Sequence, residues 1–558
     1  MRLRRIGSLF VIGLLVSILA TPVPAYAWIG DEDQTDLSDE EIAEALADGS
    51  IDLSGLESDD GAAAYSARGS YALTTLGGQT RYDTSAQEAL SAYSRANTVI
   101  IAGGEVYADS IAGASLAGVL DAPLLLTDPK GVTEVTANAI KTLGASKAII
   151  LGGTDAVSKN AESQIKALVG ANNVERLQGK TRYETQMQIY KYGADHKLWT
   201  GNTAIVATGK NFPDALAVSP VAFALKAPVF FIGDDNALPS NQFGELKASG
   251  MTKFLLVGGG TVAPDSVRAK LDQLGQVTRL GGETRYETAK AVNDYAVSNL
   301  GFSWDGVAFA SGISPWDSLG GGVMQGKAKR ALALVDNNGP KTEPYVLVNG
   351  SPRITFLGGK DVYSNAFKAQ VAYKLGYKVT DIQGFRVYID AGHGWDSSGT
   401  GNGWDSGAVG NGYQEANLTQ ELADKVAWVL RYKYGVDTYV NKRGWYKYRQ
   451  AQASALDCGL LLSIHFNADG GQGSESYIHT QNAAWGSKRL QHSVTPKLAD
   501  AVGRGNRGEK DKWLAVVSGK LPATLIEVCF IDNRGDMQAY LPKKDSVAFA
   551  IADGIVNS

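Results

Sequence analysis

The stretch LGGQTRYDTS, residues 76–85, occurs in three versions and decides how the first two thirds of the chain fold. It returns as LQGKTRYETQ at residues 177–186 and as LGGETRYETA at residues 280–289, about a hundred residues further along each time. Repetition at a fixed period is the signature of a structural unit that is used several times. The sequence therefore predicts three similar small domains in tandem.

The same series of elements follows each copy of the motif. An apolar strand comes first, in NTVIIAGG (97–104), NTAIVATG (202–209) and WDGVAFASG (304–312). A short turn then carries an aspartate, which is Asp109, Asp214 or Asp317, and a last strand runs into a glycine pair, as in SKAIILGG. Continuous apolar strands separated by segments of helical length predict parallel α/β units whose sheets are covered on both faces.

The repeated polar residues admit more than one interpretation. Arg81, Arg182 and Arg285 each lie beside a tyrosine and a threonine in the motif. These arginines and the repeated aspartates could pair with one another and fix the strand ends, or they could bind a ligand. The units could also be spacers that bind nothing.

The three units resemble the cell wall binding repeat 2 family of Gram-positive surface proteins. The resemblance is carried by the L-x-G-x-T-R-Y-[DE]-T motif, the aspartate turn and the strand ending in LGG, over residues 72 to about 380. It implies a pseudo-threefold trio that attaches the protein non-covalently to an anionic secondary cell wall polymer, with the repeated arginines and aspartates in contact with it. Ala331 in the third copy replaces a proline of the other two, so equal ligand binding by all three is not implied.

The last third of the chain begins a different domain at FRVYIDAGHG, residues 385–394. His393 lies where this apolar strand ends, and Glu415 lies at the start of a segment with helical periodicity. His465 and Glu527 lie near the carboxyl ends of two further apolar strands. Because ligands bind beyond the carboxyl ends of strands in open α/β sheets, these four side chains can converge.

Two imidazoles and one carboxylate suit Zn²⁺ and leave its fourth position open, which is the arrangement of a catalytic site. Taken singly, a histidine in a strand is more often a core or surface residue, and Glu415 could simply stabilise the helix dipole. Glu527 within LIEVCF is harder to explain in that way, because buried carboxylates are rare unless they are paired or bound to a metal.

This domain resembles the zinc-dependent N-acetylmuramoyl-L-alanine amidases of the Amidase_3 type, through DAGHG, SGAVGNGYQE, LLLSIHFNA and LIEVCFIDN in that order. The resemblance implies an α/β/α domain with a mostly parallel sheet and one Zn²⁺ held by His393, Glu415 and His465. It makes Glu527 the catalytic carboxylate, which accepts the proton of the attacking water and passes it to the leaving amine. The implied substrate is peptidoglycan, cut between N-acetylmuramic acid and the L-alanine of the stem peptide. Arg443 and Arg449 are expected to support the fold or the wall contact.

The glycine-rich segment between the first two predicted ligands spells GWDS twice. Removing residues 395–403 would leave HGWDSGAVGNGYQE, which is close to the compact spacing of the family. Trp395, Asp396 and Thr400 are therefore assigned to an inserted loop at the rim of the site. The loop either has no role or brings Trp395 or Trp404 against a sugar ring.

Composition and the chain ends complete the predicted organisation. Residues 1–27 have the layout of a cleaved secretory signal peptide, which predicts a secreted protein with no membrane span after cleavage. Residues 31–60 carry thirteen acidic residues and no lysine or arginine, so 28–70 is predicted to be an acidic flexible linker. The remaining body is nearly balanced in charge, which argues against a nucleic-acid partner. Cys458 and Cys529 are predicted to be free thiols, because they lie toward opposite ends of neighbouring strands.

The predicted boundaries are 71–172, 173–275 and 276–383 for the three repeats and 384–558 for the amidase domain. A monomer is expected, since the trio would satisfy its own interfaces. Two other functions stay open at this point. One is a wall-associated or S-layer-associated protein whose last domain only binds muropeptides, and the other is a zinc peptidase that acts on the stem peptide. A nucleotide-binding role for the glycine-rich segment is disfavoured, because the segment lacks the phosphate-binding fingerprints.

Overall fold

The computed structural model describes residues 44, 71–336, 353–397 and 403–558. The predicted signal peptide lies outside these residues, and so do Thr400 and all of the predicted acidic linker except Glu44, which is exposed. Within the described part of the chain, no helix is long and apolar enough to cross a membrane.

The amino-terminal two thirds of the chain form twelve of the described strands and eleven of the described helices, which are numbered here in chain order. The strands are β1 Leu73–Leu76, β2 Thr98–Gly103, β3 Leu124–Thr127, β4 Lys147–Leu151, β5 Val174–Leu177, β6 Thr203–Thr208, β7 Val229–Ile232, β8 Lys253–Val257, β9 Gln276–Leu280, β10 Ser303–Ser311, β11 Arg330–Val335 and β12 Ile354–Leu357. The helices are α1 Arg81–Ala92, α2 Tyr107–Leu120, α3 Glu134–Leu143, α4 Lys159–Val169, α5 Arg182–Asp195, α6 Pro213–Leu225, α7 Ser240–Ser249, α8 Asp265–Leu271, α9 Arg285–Leu300, α10 Gly321–Ala328 and α11 Asn365–Leu375.

These strands form three four-stranded sheets in which all neighbours run parallel, which confirms the predicted α/β class. The strand orders are β3-β2-β4-β5, β7-β6-β8-β9 and β11-β10-β12-β1. The last strand of each sheet comes from the segment that leads into the next repeat motif. Strand β5 completes the first sheet and β9 the second, while β1, which leads into the first motif, completes the third. The sheets are therefore one strand out of phase with the predicted boundaries at 172/173 and 275/276.

The repeated motif sets both the end of a strand and the beginning of a helix. In each copy the threonine is the N-cap and the arginine is the first helical residue, so that α1, α5 and α9 begin at equivalent positions. Thr80 and Thr284 each form a reciprocal capping box with the acidic residue three positions on. Such a cap satisfies amide groups that the first helical turn leaves without partners.

The three units meet through α2, α6 and α10, which pack on one another. Small residues allow this close approach. A Cβ atom at Gly118 would lie 2.1 Å from the carbonyl oxygen of Phe223, and one at Gly322 would lie 1.9 Å from the hydroxyl of Ser219. Apolar side chains from all three units form one continuous core, as expected for a pseudo-threefold trio.

The replacement of a proline by Ala331 lengthens a strand in the third unit. Strands β3 and β7 begin after Pro123 and Pro228 and have four residues each, whereas β11 begins at Arg330 and has six. Proline has no amide hydrogen for a ladder, so its loss allows the pairing of β10 and β11 to start earlier. An irregularity in β10 accompanies this longer strand.

The carboxyl-terminal domain has a seven-stranded mixed sheet with helices on its faces. Its strands are β13 Arg386–Trp395, β14 Trp404–Asp405, β17 Asp437–Arg443, β18 Leu460–Asn467, β19 Ser474–His479, β20 Asn506–Lys512 and β21 Ala523–Phe530, and a separate two-stranded ribbon joins β15 Val409–Gly410 to β16 Tyr413–Gln414. Its helices are α12 Glu415–Tyr434, α13 Arg449–Ala455, α14 Ser487–Val502, α15 Arg534–Tyr540 and α16 Lys544–Val556.

The central strands β17, β13, β18 and β21 run parallel, while β19 is antiparallel to β21 and pairs in parallel with the edge strand β20. His465 and Glu527 are direct partners across β18 and β21. Cys458 precedes β18, Cys529 lies near the end of β21, and both are buried free cysteines, as predicted. The carboxyl ends of β13, β18 and β21 therefore open on one region of the domain.

Candidate active site

His393 lies near the carboxyl end of β13 in a left-handed backbone conformation with φ 65°. Its side chain is buried, and its Nδ1–H donates to Oδ2 of Asp405 at 2.8 Å. A carboxylate accepts this hydrogen bond, so the neutral tautomer keeps an unprotonated Nε2 on the other side of the ring. That nitrogen lies 3.2 Å from Oε2 of Glu415.

Glu415 is the first residue of α12 and brings a buried carboxylate to the centre of the site. Its Oε1 accepts from the amide of Phe466 at 2.9 Å, and its Oε2 accepts from the amide of Ala408 at the same distance. The Nδ1 atom of His465 lies 3.1 Å from Oε1. These two hydrogen bonds from backbone amides hold the carboxylate in place between the two imidazole rings.

Two glycines make room for the site. A Cβ atom at Gly392 would lie 2.3 Å from the ring of His465, so only glycine lets this backbone pass the imidazole. Gly407 has φ 60°, and a Cβ there would lie 2.7 Å from both Glu415 and His393. The glycine-rich segment therefore allows the side chains to approach one another.

The side chains of His393, Glu415 and His465 offer three donor atoms within 4.8 Å of one another. His465 Nδ1 lies 3.1 Å from one oxygen of Glu415, and His393 Nε2 lies 3.2 Å from the other, so the three side chains are close enough to reach one ion. Two imidazoles and a carboxylate are also donors that zinc accepts. The described residues thus fit a zinc ion in both chemistry and spacing.

The electrostatics of the site also favour a cation. Burial opposes protonation of His393, but Glu415 and Asp405 outweigh it and hold the pKa of His393 well above its usual value. Burial opposes ionisation of Glu415 as well, yet the two imidazoles hold its pKa below the usual range. The field that favours positive charge on these rings would equally favour a divalent ion.

Glu527 lies beside this group on β21, level with His465. Its carboxylate is buried, and its Oε2 has no hydrogen-bond partner among the described residues. Burial raises the pKa of Glu527 well above the usual value, and Glu415 and Glu475 add to the effect. A buried carboxyl oxygen without a partner costs stability, which is typical of a group kept for function.

Two further carboxylates belong to this region but were not identified from the sequence. Asp405 orients His393, and its signal was that the second GWDS copy keeps the compact family spacing when residues 395–403 are treated as an insertion. Glu475 lies opposite Glu527 across β19 and β21. Its side chain accepts from Asn467 and Tyr477 and forms ion pairs with Lys510 and Arg507 of the edge strand. The only sign of it in the sequence was the alternating pattern of SESYIH, residues 474–479, which indicates a strand but no function.

Arg449 supports the strand that carries His393. It is almost fully buried and forms an ion pair with Asp390 of β13, with Nε 2.6 Å from Oδ1. Ser463 of β18 donates to the other oxygen of Asp390. The guanidinium of Arg449 also donates to the carbonyl of Arg443. The expected structural role of Arg449 agrees with these contacts.

Each predicted wall-binding aspartate lies against the repeat motif of the following unit, and the aspartate of the third unit lies against the motif of the first. Thr84 donates to Oδ1 of Asp317 at 2.7 Å. Burial raises the pKa of Asp109 to about 6, while Arg182 and Thr185 of the second motif oppose the shift. Burial likewise raises the pKa of Asp214, while Thr288 and Arg285 of the third motif oppose the shift. The repeated aspartates therefore lie at the junctions between units.

The predicted wall-binding arginines contact their own unit's glycine turn and an aromatic ring near the centre of the trio. Arg81, Arg182 and Arg285 donate to the carbonyls of Gly104, Gly209 and Gly312, respectively. The guanidinium carbons lie 4.5, 5.3 and 6.0 Å from the ring centres of Trp316, Tyr107 and Phe212, respectively. These contacts support a structural role for the arginines. A cavity of about 680 Å³ at the junction of the second and third units remains open to a ligand and is lined by Asp214 and Arg285.

The matches to protein families follow the same division of the chain. Residues 387–557 match the N-acetylmuramoyl-L-alanine amidase family. Residues 75–162, 176–268 and 279–368 each match cell wall binding domain 2. The predicted relationship of both parts is therefore confirmed.

Individual relatives cover both parts of the chain. N-acetylmuramoyl-L-alanine amidase LytC of Bacillus subtilis (strain 168) is 31% identical over 494 residues, which are 86% of this chain and 93% of that protein. The amidase enhancer of the same organism is 29% identical over 258 residues, which are 46% of this chain and 34% of that protein. Among solved structures, Cwp6 from Clostridium difficile has 25% identity and a TM-score of 0.49, over 88% of this chain and 79% of that one.

Proposed function

The chain belongs to the family of N-acetylmuramoyl-L-alanine amidases and carries three cell wall binding repeats, and from this premise we propose that it cuts peptidoglycan by a zinc-dependent mechanism. In this proposal His393, Glu415 and His465 hold the zinc ion. Glu527 serves as the general base and acid. The bond cut is the amide between N-acetylmuramic acid and the L-alanine of the stem peptide.

One observation carries the proposal. Three donors of the types that zinc binds, two of them buried and His465 partly buried, converge within 4.8 Å of one another, and a buried carboxyl oxygen of Glu527 without a partner among the described residues lies on the adjacent strand. A cluster with a purely structural role would need neither feature. Apolar side chains at these positions would stabilise the fold at least as well as buried charged groups. The same observation argues against a domain that has kept only muropeptide binding, since such a domain has no use for the set.

Zinc would supply Lewis-acid chemistry there, polarising a carbonyl and lowering the pKa of water. The protein's own groups would do the rest. Asp405 fixes the ring of His393, and two backbone amides fix Glu415, so the ligands are oriented before substrate arrives. Glu527 would take a proton from the attacking water and return it to the leaving amine, and its raised pKa suits the second step.

Digestion of purified peptidoglycan tests the proposed bond. We expect new amino termini that are L-alanine, without new reducing sugars. Cuts within the stem peptide would instead indicate the zinc peptidase. A protein that binds muropeptides but releases no product under any metal condition would be the non-enzymatic alternative. Removing the metal with a chelator should abolish release, and adding zinc back should restore it.

Two variants separate metal binding from proton transfer. Glu527→Gln should lose nearly all turnover yet keep its zinc, and His393→Ala should lose both. Glu421→Gln, a change of an exposed carboxylate on the same helix as Glu415, is the matched control and should keep both. Full activity in Glu527→Gln would refute the assigned role while leaving the amidase assignment intact.

We further propose that the trio holds the enzyme on an anionic secondary polymer of the cell wall through the junctions between its units. The junction between the second and third units supports this, because its cavity is lined by Arg285, Asp214 and the turn at Gly259 and Gly260. Arg285 is more exposed than its two counterparts, so it is the arginine best able to contact the polymer's anionic groups.

Binding to isolated walls tests this attachment. Arg285→Gln should weaken retention on walls that carry the polymer and leave retention on polymer-free walls unchanged. Lys290→Gln, a nearby surface charge on the same helix, is the control. If the arginine only stabilises its unit, Arg285→Gln will lower the melting temperature without a polymer-specific loss of binding.

We also propose that residues 1–27 direct secretion and are cleaved, that 28–70 connect the trio to the new amino terminus, and that the mature protein acts as a monomer on the outside of the cell. The proposed unit boundaries in the sequence are 71–172, 173–275, 276–383 and 384–558, with β5 and β9 each completing the sheet of the preceding unit. Amino-terminal sequencing of the protein released from the wall, together with its mass in solution, tests all three points.

A further inference from the structure

A pair of exposed tryptophans lies at the rim of the candidate active site. Trp395 is 57% exposed and Trp404 is 37% exposed. They are cross-strand partners on β13 and β14, with ring centres 5.8 Å apart and ring planes inclined at 70°. Large aromatic side chains grouped on a surface mark a binding site more often than a chance exposure.

The two tryptophans are tied to the proposed zinc ligands. Trp395 follows His393 by two residues, so their Cα atoms are at most about 7 Å apart. Trp404 immediately precedes Asp405, which holds His393. The Nε1–H of Trp404 donates to Oε1 of Gln414 at 3.2 Å, and Gln414 is the residue directly before Glu415.

The base of this hairpin is fixed by backbone hydrogen bonds. The amide of Asp396 donates to the carbonyl of Gly403 at 2.9 Å. The carbonyl of Trp395 accepts from Gly444 at 2.7 Å, and that of Ser397 accepts from Tyr446 at 3.1 Å. Because these bonds hold the hairpin against the neighbouring loop, the indole rings are positioned before a ligand binds and little ordering entropy remains to be lost.

We propose that Trp395 and Trp404 bind a pyranose ring of the glycan strand while the adjacent amide is cut, which rests on the function proposed above. The scissile carbonyl belongs to the lactyl group, which is joined to N-acetylmuramic acid only a few bonds from the ring. A carbonyl at the proposed zinc site therefore has its sugar at the rim. The negative face of an indole attracts the C–H groups on the apolar face of a pyranose.

This assignment predicts that the enzyme recognises the glycan in addition to the peptide. The test compares two soluble substrates, a disaccharide muropeptide and the same lactyl peptide without the sugar. Trp395→Ala and Trp404→Ala should lower kcat/KM on the muropeptide about fivefold to tenfold, and both should match the wild-type enzyme on the lactyl peptide. Zinc content and melting temperature should not change.

Two matched variants guard against indirect effects. Trp404→Phe keeps an aromatic face but loses the N–H bond to Gln414, so it should recover part of the muropeptide rate that Trp404→Ala loses. Trp428→Ala removes a tryptophan that is 60% exposed on α12, and it should change neither rate. Equal losses on both substrates in Trp395→Ala would overturn the proposal, since they would indicate damage to the metal site. So would an unchanged rate on the muropeptide.

A binding measurement separates this proposal from the function on which it rests. Indole fluorescence can be titrated with a peptide-free oligosaccharide of alternating N-acetylglucosamine and N-acetylmuramic acid, using the full mature chain. Quenching that is lost in Trp395→Ala and Trp404→Ala but kept in Trp428→Ala supports the sugar site, even if the wild-type chain cuts no amide. Absence of binding by the wild-type chain, with normal amidase activity, would overturn the sugar site alone.

Discussion

Asp405 should strengthen zinc binding at the proposed metal site. It lies outside the predicted ligand set, yet it holds the buried ring of His393 through a 2.8 Å hydrogen bond. Loss of such an outer partner weakens metal affinity about 10- to 100-fold, which corresponds to roughly 1.4 to 2.7 kcal/mol. Asp405→Ala removes both the acceptor and the charge, so we expect it near the upper limit.

Asp405→Asn should show a smaller effect, because the amide oxygen still accepts from Nδ1 but carries no charge. Charge-assisted hydrogen bonds are roughly twice as strong as neutral ones, so we expect an affinity loss of about tenfold for this variant. The duplicated sequence supplies the control. Asp396 is the equivalent residue of the first GWDS copy, and its side chain accepts only from the amide of Gly403 among the hydrogen bonds described. Asp396→Asn should therefore leave zinc affinity unchanged.

The assay is a competition titration of zinc against a chromophoric chelator at fixed pH, run in parallel with turnover of a soluble muropeptide. The order expected for zinc affinity is wild type and Asp396→Asn, then Asp405→Asn, then Asp405→Ala. If Asp405→Ala binds zinc as tightly as the wild-type chain, the hydrogen bond does not orient a ligand and the reasoning fails. Equal losses in the two asparagine variants would mean that the hairpin as a whole matters.

Three other predictions concern stability and the cysteines. Arg449→Met should lower the free energy of unfolding by about 3–5 kcal/mol, because it leaves the Asp390 carboxylate buried without its ion-pair partner; denaturant unfolding measures this, and a double change of both residues to apolar ones should recover part of it. Burial raises the pKa of Asp109 from 3.8 to about 6, so its contribution to stability is complete below about pH 4 and is lost as the pH rises through 6, by about 3 kcal/mol at most. Asp109→Asn should remove that part of the pH dependence, and an unchanged slope would contradict the assigned shift. Cys458 and Cys529 should resist thiol reagents in the native protein and react once it is unfolded, whereas a disulfide found by mass spectrometry would contradict the structure.

The convergence of the candidate ligands could be predicted from the sequence, because the two histidines lie at or near strand ends and Glu415 begins the helix that follows the first strand. An apolar strand that stops at a histidine or glutamate is visible as a pattern, and parallel strands bring their carboxyl ends to one edge. His465 and Glu527 are level for this reason. Asp405 was not predictable in the same way, because its contact depends on how β13 folds back onto β14. The family spacing favoured the second GWDS copy, but it did not show that the carboxylate of Asp405 would accept a hydrogen bond from His393.

In the trio, the sequence did not predict which sheet the strand before each motif joins. The repeat motif is easy to find, but the strand that precedes it belongs to the sheet of the preceding unit, and only the structure shows that β1 closes the third sheet. The closing junction also differs chemically. Arg176 and Arg279 donate to the carbonyls of Gly152 and Gly258 beside the neighbouring strand, and the corresponding residue in the first repeat is Thr75.

A threonine cannot supply the guanidinium bonds, so the third sheet is closed with fewer long-range contacts at this position. The amide of Thr75 instead donates to Oε1 of Gln383, the last residue before the proposed start of the amidase domain, at 3.2 Å. Leu73 likewise bridges to Ile382, immediately before the amidase domain. The strand that closes the trio thus also contacts the segment that leads into the amidase domain. Thr75, the position at which the first repeat lacks the arginine of the other two, therefore lies where the trio contacts this connecting segment.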